Sequence, residues 1–366
     1  MELPGTDNFT VRLWSSYMLP RHSKIVPLQL SSVDLLIAQY TFVDRLRHTA
    51  PPHVLLADIT PVPSLLTQTD LDELGFYPQV FQDPDGHIAA IFVGLPAQCQ
   101  DWERTTGHAN TIMRIARSEL DSGCLPGDGD GIKSGIAYDT GLKHPRTISL
   151  AESHSLHNLV VLAALRYSPA IQDITLFQNA VLKQVAPCVW CDARRVIDVV
   201  VQNDYDLHLL LKLSEEPFYQ PTALSELEYC FSMRDSTAQM EGDHLAGLRA
   251  LTSIGQYPYH EGKMILWNHR VVVDFPPGST MFFPAAVMPY LFTNVEKPGW
   301  QMLITQACSA GLHRYVANGF TDQHVPEPRF PMQRAAAVHR LELAKDTVSL
   351  YPTVTEYDAA EAEICY

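Results

Sequence analysis

The stretch VVVDFPPGST, residues 271–280, decides the fold. Three consecutive valines favour a β-strand, and Pro276 and Pro277 end it because proline has no amide hydrogen to donate to a neighbouring strand. Gly278 permits the tight turn that follows, and the apolar run MFF, residues 281–283, begins the next strand. The pattern predicts two buried strands joined by a proline turn.

The sequence around this stretch predicts a mixed α+β protein. Residues 226–320 are rich in strand-forming residues, with turns at regular intervals that are typical of a sandwich or a barrel. An Asp-Gly turn between apolar runs predicts a hairpin over residues 78–94. Residues 105–120, 155–165 and 171–185 have helical periodicity, whereas residues 121–150 are expected to be rich in loops.

Composition limits the class of protein. The chain has 366 residues, of which 46% are hydrophobic, enough for a large core. A net charge of −15 argues against nucleic acid as a ligand, because duplex binding requires clustered lysine and arginine. The 7 cysteines, an odd number at irregular spacing, favour free thiols in a reducing compartment. We expect an intracellular, cytoplasmic protein that acts on a small molecule.

Generic motifs for membranes and metals are weak. Residues 275–295 carry no charge, but their four prolines exclude an ordinary membrane-spanning helix. The N-terminal residues lack the apolar segment of a secretion signal. The pair CVWC, residues 188–191, has no second pair to complete a zinc site, so we expect two thiols on a helix end. The acidic stretch GDGDG, residues 127–131, lacks the other ligands of a calcium loop.

Four blocks occur in a recognisable order: GLRALTSIG (247–255), EGKMILW (261–267), VVVDFPPGST (271–280) and GLHRYVANGF (311–320). They resemble the blocks GWCAITALG, GGHLVLW, LVIEFPPGST and GLFRYVDNGF of a fungal group of TET/JBP-like 2-oxoglutarate/Fe(II) dioxygenases. Residues 134–146 resemble the segment that opens the core of those proteins. The chain is identified as a divergent member, with the resemblance covering about residues 78–325.

The resemblance implies a fold and a domain organisation. The implied fold is a double-stranded β-helix, a cupin-like jelly roll with helices packed outside. It divides the chain into an N-terminal helical or irregular region packed on the core (1–77), a dioxygenase-like domain (78–330) and a C-terminal extension (331–366).

The resemblance also implies a degenerate iron site. Family members bind iron through a His-x-Asp pair and a distal His, and an Arg binds 2-oxoglutarate. The first His position is Met233, while Asp235 retains the carboxylate; the distal His position is Tyr290 and the Arg position is Gln301. Thioether and phenol are poor iron(II) ligands, and glutamine cannot form the bidentate clamp of arginine. We therefore expect neither iron nor 2-oxoglutarate as a cofactor.

The remaining side chains suggest a repurposed site at the barrel mouth. The catalytic candidates are Tyr290 and Asp235 as acid and base and Arg249 as an anchor for an anion. The candidates for substrate binding are Met233, Gln301, Phe292 and Trp300.

Three hypotheses for function remain open. The first is a metal-independent, redox-neutral biosynthetic enzyme that catalyses an isomerisation, a cyclisation or a rearrangement of a small organic molecule. The second is a non-catalytic binding descendant of the dioxygenases. The third is an Fe(II)/2-oxoglutarate oxygenase with unusual metal ligands, which would be drawn from Asp235, Glu241, Asp243, His244 or His260.

Overall fold

The computed structural model describes residues 24–28, 30–32, 79–94, 101–120, 131–138, 145–148, 156–204, 223–233, 240, 242–269, 271–317, 319–320 and 345–356. Asp235, Glu241 and most of the acidic stretch at 127–131 lie outside these residues.

The described chain combines twelve strands with five helices of eight residues or more. The strands are β1 (Lys24–Pro27), β2 (Gln79–Gln82), β3 (Ile88–Gly94), β4 (Gly131–Ala137), β5 (Arg146–Ile148), β6 (Glu226–Cys230), β7 (Arg249–Gln256), β8 (Met264–Leu266), β9 (Val271–Val273), β10 (Thr280–Phe283), β11 (Tyr290–Phe292) and β12 (Trp300–Ala307). The helices are α1 (Trp102–Glu119), α2 (Leu156–Arg166), α3 (Pro169–Val185), α4 (Pro187–Asn203) and α5 (Ala310–Ala317).

The strands form two sheets. The major sheet has nine strands in the order β1-β2-β3-β10-β7-β12-β6-β4-β5, and the minor sheet has three in the order β11-β8-β9. The pairings are antiparallel apart from the parallel pair of β1 and β2. The mixed α+β class expected from the sequence is therefore confirmed.

The proline turn after Val273 carries the chain from one sheet to the other. β9 belongs to the minor sheet and β10 to the major sheet. Gly278, between them, has a φ of 87°, which glycine adopts without strain. The two strands were predicted correctly, but a local pattern does not say which sheet each one joins.

Before residue 150 the chain forms the predicted hairpin, and it also forms strands where loops were expected. The hairpin is confirmed, because β2 and β3 pair antiparallel across a turn in which Asp83 accepts backbone hydrogen bonds from Asp85 and His87. The prediction that residues 121–150 are rich in loops is wrong for β4 and β5, because β4 pairs with both β5 and β6. Glycine, lysine and serine weaken the strand signal of β4, so its tertiary neighbours decide the structure.

The helical predictions are confirmed. α1 corresponds to the helix predicted at 105–120, and α2 and α3 correspond to those predicted at 155–165 and 171–185. The break between α2 and α3 falls before Pro169, which cannot donate to the preceding turn and occupies the first turn of α3. Cys188 and Cys191 lie exposed near the start of α4, as expected for thiols on a helix end.

The major sheet is covered on both faces. Ala250 and Ile254 of β7 pack on the side of the helices, which we call the outer face. Leu251, between them, packs on the inner face together with residues of the minor sheet. Phe275 lies within this inner cluster, with its ring centroid 6.1 Å from that of Phe92 and 5.8 Å from that of Phe292. Two covered faces explain why β7 is buried on both sides along most of its length.

Residues 275–295 form strands, not a spanning helix, since they contain β10 and β11. In the described part of the chain, no single helix has the length and apolar character to cross a membrane. Together, α2 and α3 reach that length and composition, but they are bent by 56° at their junction.

His269, between β8 and β9, should make stability depend on pH. It is 2% exposed, and burial, partly opposed by Asp83, lowers its pKa to about 4. The unfolded chain takes up a proton near pH 6.5 and the folded chain does not, so stability falls as the pH drops from about 6.5 towards 4. We expect wild type to lose about 2 kcal/mol between pH 7.5 and pH 5 through this residue, and His269→Phe to lose none of it.

Urea unfolding at the two pH values measures this difference. His157→Phe, on the exposed surface of α2, is the control and should retain the wild-type dependence. An equal loss of stability in His269→Phe and wild type would contradict the prediction.

Candidate functional site

A buried charged cluster lies on the inner face of the major sheet. Arg249, at the start of β7, is 2% exposed. Its Nε and Nη2 donate to the two carboxylate oxygens of Asp243 at 2.7 and 2.8 Å. Its Nη1 donates to Glu228 Oε2 at 2.6 Å and to Thr305 Oγ1 at 3.0 Å. The guanidinium, a sequence candidate for anchoring an anion, is therefore paired with two carboxylates of the chain itself.

The cluster extends across β6 to β4. Lys133 Nζ lies 3.5 Å from Glu226 Oε2, and burial, partly opposed by Lys133, raises the pKa of Glu226. Glycine is needed at position 131, because a Cβ there would lie 2.3 Å from Glu228 Cγ. Among the residues that the structure describes, this cluster thus contains three acidic side chains and two basic ones.

Tyr290, on β11 of the minor sheet, faces this cluster. Its ring centroid is 5.0 Å from that of Phe283 and 6.0 Å from that of Phe292. Burial raises the pKa of its hydroxyl, with Arg249 opposing the shift, so the phenol keeps its proton at neutral pH. Met233 is half-buried against the same apolar cluster. A neutral phenol and a thioether do not fit iron(II) at the positions that the resemblance indicates.

Gln301 occupies the position that the resemblance assigns to 2-oxoglutarate binding. Its Nε2 donates to Tyr257 Oη and to the backbone oxygen of Gly262, both at 3.0 Å, and to Ser253 Oγ at 3.3 Å. It pairs with Gly255, which lies about 20 Å along β7 from Arg249 at the usual rise per residue. A carboxylate of 2-oxoglutarate would meet the neutral amide of Gln301, whose Nε2 already donates to groups of the protein. These residues therefore do not fit 2-oxoglutarate.

The structure brings together only some of the candidates from the sequence. Arg249, Tyr290, Phe292 and Met233 surround the inner cluster. Trp300, expected beside them, instead packs on the outer face, where its Nε1 donates to Asn110 Oδ1 at 2.9 Å and its ring lies 4.3 Å from the guanidinium carbon of Arg114. Trp300 is a neighbour of Gln301 in sequence but points to the opposite face of the strand.

A second group of polar side chains lies on the helical side, where β12 ends and β7 begins. Ligand-type atoms of Asp192, His244 and His313 all lie within 4.8 Å of one another. Asp192 Oδ2 is 3.3 Å from His313 Nε2 and 4.0 Å from His244 Nε2. The two imidazole rings are stacked, with centroids 3.5 Å apart and planes 6° from parallel.

Three separate elements supply this group. α4 carries Asp192, α5 carries His313, and the turn before β7 carries His244. Gly311, in the first turn of α5, allows this helix to approach the end of β4, because a Cβ at that position would lie 1.7 Å from the backbone oxygen of Tyr138. Close packing of α5 therefore sets the position of His313.

Hydrogen bonds and burial set the protonation of the group. His313 Nδ1 lies 3.0 Å from the backbone oxygen of Ser309, so it donates there and Nε2 faces Asp192. A carboxylate oxygen and an imidazole nitrogen this close require a cation between them, either a proton or a metal ion. A hydrogen bond with His313 and a second with Arg195 hold the pKa of Asp192 well below its usual range. Burial and the neighbouring His313 lower the pKa of His244 to about 3.

These protonation states suit a metal ion. At neutral pH Asp192 is ionised and His244 is neutral, as metal ligands must be, and a metal ion would displace the proton that His313 Nε2 shares with Asp192. An oxygen of Asp192 and a nitrogen of His313 only 3.3 Å apart could both contact one ion, since metal–ligand bonds are about 2.1 Å long. His244 would have to leave its stack on His313 to reach the same ion, because the two ring planes are 6° from parallel with centroids 3.5 Å apart and each ring binds a metal ion in its own plane.

The sequence points to only part of this group. His244 is one of the five residues proposed above as unusual metal ligands, whereas Asp192 and His313 were missed. The signal for His313 is in the block GLHRYVANGF, which has histidine where the family pattern has phenylalanine. Two more of the five are engaged elsewhere, since Asp243 is paired with Arg249 and His260 is exposed beside Glu261 at 3.9 Å.

Comparisons with known proteins identify likenesses of structure only. No family model matches the sequence, and none of the curated proteins matches it. The structure is similar to NgTET1 in complex with 5mC DNA, at 14% identity and a TM-score of 0.44, over 77% of this chain and 92% of that one. It is also similar to an oxidoreductase of the 2OG-Fe(II) oxygenase family from Burkholderia pseudomallei, at 10% identity and a TM-score of 0.29, over 80% of this chain and 98% of that one. The activity of this chain has to follow from its own side chains.

Proposed function

We propose that this protein is a divalent-metal enzyme of the oxygenase type in which Asp192, His244 and His313 bind the metal ion. The observation that carries the proposal is the convergence of their three ligand atoms within 4.8 Å. Two histidines and one carboxylate are the ligand set of non-haem iron(II) oxygenases, and three ligands leave coordination positions open for oxygen and a co-substrate.

The order of the strands supports a double-stranded β-helix as the scaffold. From β7 onwards the chain alternates between the sheets: β7 lies in the major sheet, β8 and β9 in the minor, β10 in the major, β11 in the minor and β12 in the major. Alternation of this kind is typical of a jelly roll. In this proposal the metal ion lies at the end of the major sheet, on the helical side, and not between the two sheets.

The surroundings of the group favour a small substrate. The side chains of His313, Asp192 and His244 are 13%, 22% and 26% exposed, which leaves an approach from solvent. A net charge of −15 disfavours nucleic acid as the substrate. We infer a small organic molecule in a reducing, intracellular compartment.

Metal titration tests this proposal. Protein stripped with a chelator should bind about one iron(II) per chain without oxygen present, and about one zinc(II) as a redox-inactive substitute. Protein that binds no ion would overturn the proposal. Protein that binds zinc(II) but not iron(II) would retain the metal site but exclude an iron-dependent oxygenase.

A second candidate function is the metal-independent, redox-neutral enzyme suggested by the sequence. The observation that favours it is the protonated hydroxyl of Tyr290, buried beside Arg249 and Glu228, which can donate a proton to a ligand on the inner face. Metal-stripped protein that still converts a small organic substrate, and loses this activity in Tyr290→Phe, would favour this candidate over the first.

A further inference from the structure

We propose that Asp243 is a positioning residue for the metal site, because its pairing with Arg249 on the inner face holds the turn that carries His244 on the outer side. This inference rests on the proposed metal site. Asp243 and His244 are adjacent, and their side chains have different partners: that of Asp243 contacts Arg249, and that of His244 stacks on His313. One short turn therefore belongs to both clusters.

The turn is joined by its backbone to the segment that leads into α5. The backbone nitrogen of His244 donates to the oxygen of Cys308 at 2.8 Å, and that of Ala310 donates to the oxygen of Gly242 at 3.0 Å. Ser309, between these residues, accepts the hydrogen bond from His313 Nδ1. The two imidazoles are therefore attached to one frame of two paired segments, and only Asp192 comes from a separate element.

Arg249 anchors this frame to the major sheet. Its Nε and Nη2 donate to the two carboxylate oxygens of Asp243, and its Nη1 donates to Glu228 on β6 and Thr305 on β12. Both charges of the pair are buried, with Asp243 3% and Arg249 2% exposed. A bidentate pair fixes orientation as well as distance, so the carboxylate of Asp243 cannot turn without losing a hydrogen bond.

Fixing the turn before the ion arrives should raise affinity. Each group that has to be ordered on binding reduces the net free energy of binding. His244 is the proposed ligand farthest from Asp192, at 4.0 Å. Its contribution to the affinity for metal should therefore depend most on the position of its backbone. Groups that support metal ligands affect affinity by roughly 10- to 100-fold when they are changed.

Asp243→Asn tests the inference, with Asp274→Asn as the matched control. Asp274 is also a buried carboxylate, 7% exposed, and pairs with Lys263 at 2.6 Å beside the minor sheet. We expect zinc(II) to bind Asp243→Asn roughly tenfold more weakly than wild type. Asp274→Asn should bind as wild type does, even if it is less stable. Asp243→Glu keeps the charge but lengthens the side chain, and it should weaken binding similarly if Asp243→Asn does not fold.

A second measurement needs no metal. Stacked imidazoles shift the proton resonances of each other's rings, so Asp243→Asn should change the His244 and His313 resonances of metal-free protein and Asp274→Asn should not. If wild type binds no metal but Asp243→Asn changes these resonances, Asp243 does position His244, and it is the proposed metal-dependent function that fails. If affinity and resonances in Asp243→Asn both match those of Asp274→Asn, the positioning role is wrong, whether or not metal binds.

Discussion

Replacing Arg249 with methionine is expected to lower the free energy of unfolding by about 3–5 kcal/mol, the cost of removing one partner from a buried ion pair. The variant leaves Asp243 and Glu228 without their main counter-charge, although both remain at least nine-tenths buried. Methionine fills much of the space but offers no hydrogen-bond donor. Thermal unfolding should show a fall in Tm of roughly 10 °C, at about 2–4 °C per kcal/mol for a large domain.

Two controls separate this effect from the loss of any arginine. Arg104→Met removes an exposed pair with Asp101, at 3.1 Å and with both side chains well exposed, and should change stability by less than about 1 kcal/mol. Adding Asp243→Asn and Glu228→Gln to Arg249→Met removes the uncompensated charges and should restore part of the loss. If the Tm of Arg249→Met lies within 2 °C of the wild-type Tm, the free energy of unfolding has changed by roughly 1 kcal/mol or less. The cluster would then contribute little to stability.

Local sequence patterns were sufficient for elements whose signal lies in neighbouring residues. The three valines and two prolines of residues 271–280 predicted two strands and their turn, and the Asp-Gly turn predicted the hairpin of β2 and β3. β4 was missed because Gly131, Lys133 and Gly135 weaken its strand signal. Each has a reason in the folded protein: Gly131 makes room for Glu228, Lys133 faces Glu226, and Gly135 lies against the backbone of Ser225. These reasons are tertiary contacts, which no local pattern contains.

The same limit applies to the candidate site. The resemblance identified positions on the inner face, and the structure brings Tyr290 and Arg249 near each other there. The resemblance could not indicate that Arg249 pairs with Asp243 and Glu228, because that pairing depends on the register of β6, β7 and β12. The contact of Asp192 with His313 is made only when α4 packs against α5. His313 was visible as a departure from a family block, but its partner was not.

Replacing His313 with alanine is expected to lower zinc(II) affinity by more than about 100-fold, because one of three ligands is removed. His313 is the ligand closest to Asp192, at 3.3 Å, and its Nδ1 is already fixed by Ser309. The matched control is His157→Ala, which removes a histidine that also lies near a carboxylate, Glu119, at 3.7 Å. The control should bind zinc(II) as wild type does.

Thermal stability gives an independent measurement of the same site. Without metal, His313→Ala should be less stable than wild type, because Asp192 loses the hydrogen bond that lowers its pKa most and keeps only Arg195 at 2.7 Å. An ion present at 100 times its dissociation constant stabilises the folded state by about 2.7 kcal/mol, and this should raise the Tm of wild type and of His157→Ala. His313→Ala should show no such rise at the same concentration. An equal rise in all three proteins would mean that the ion binds elsewhere, and would remove Asp192, His244 and His313 as its ligands.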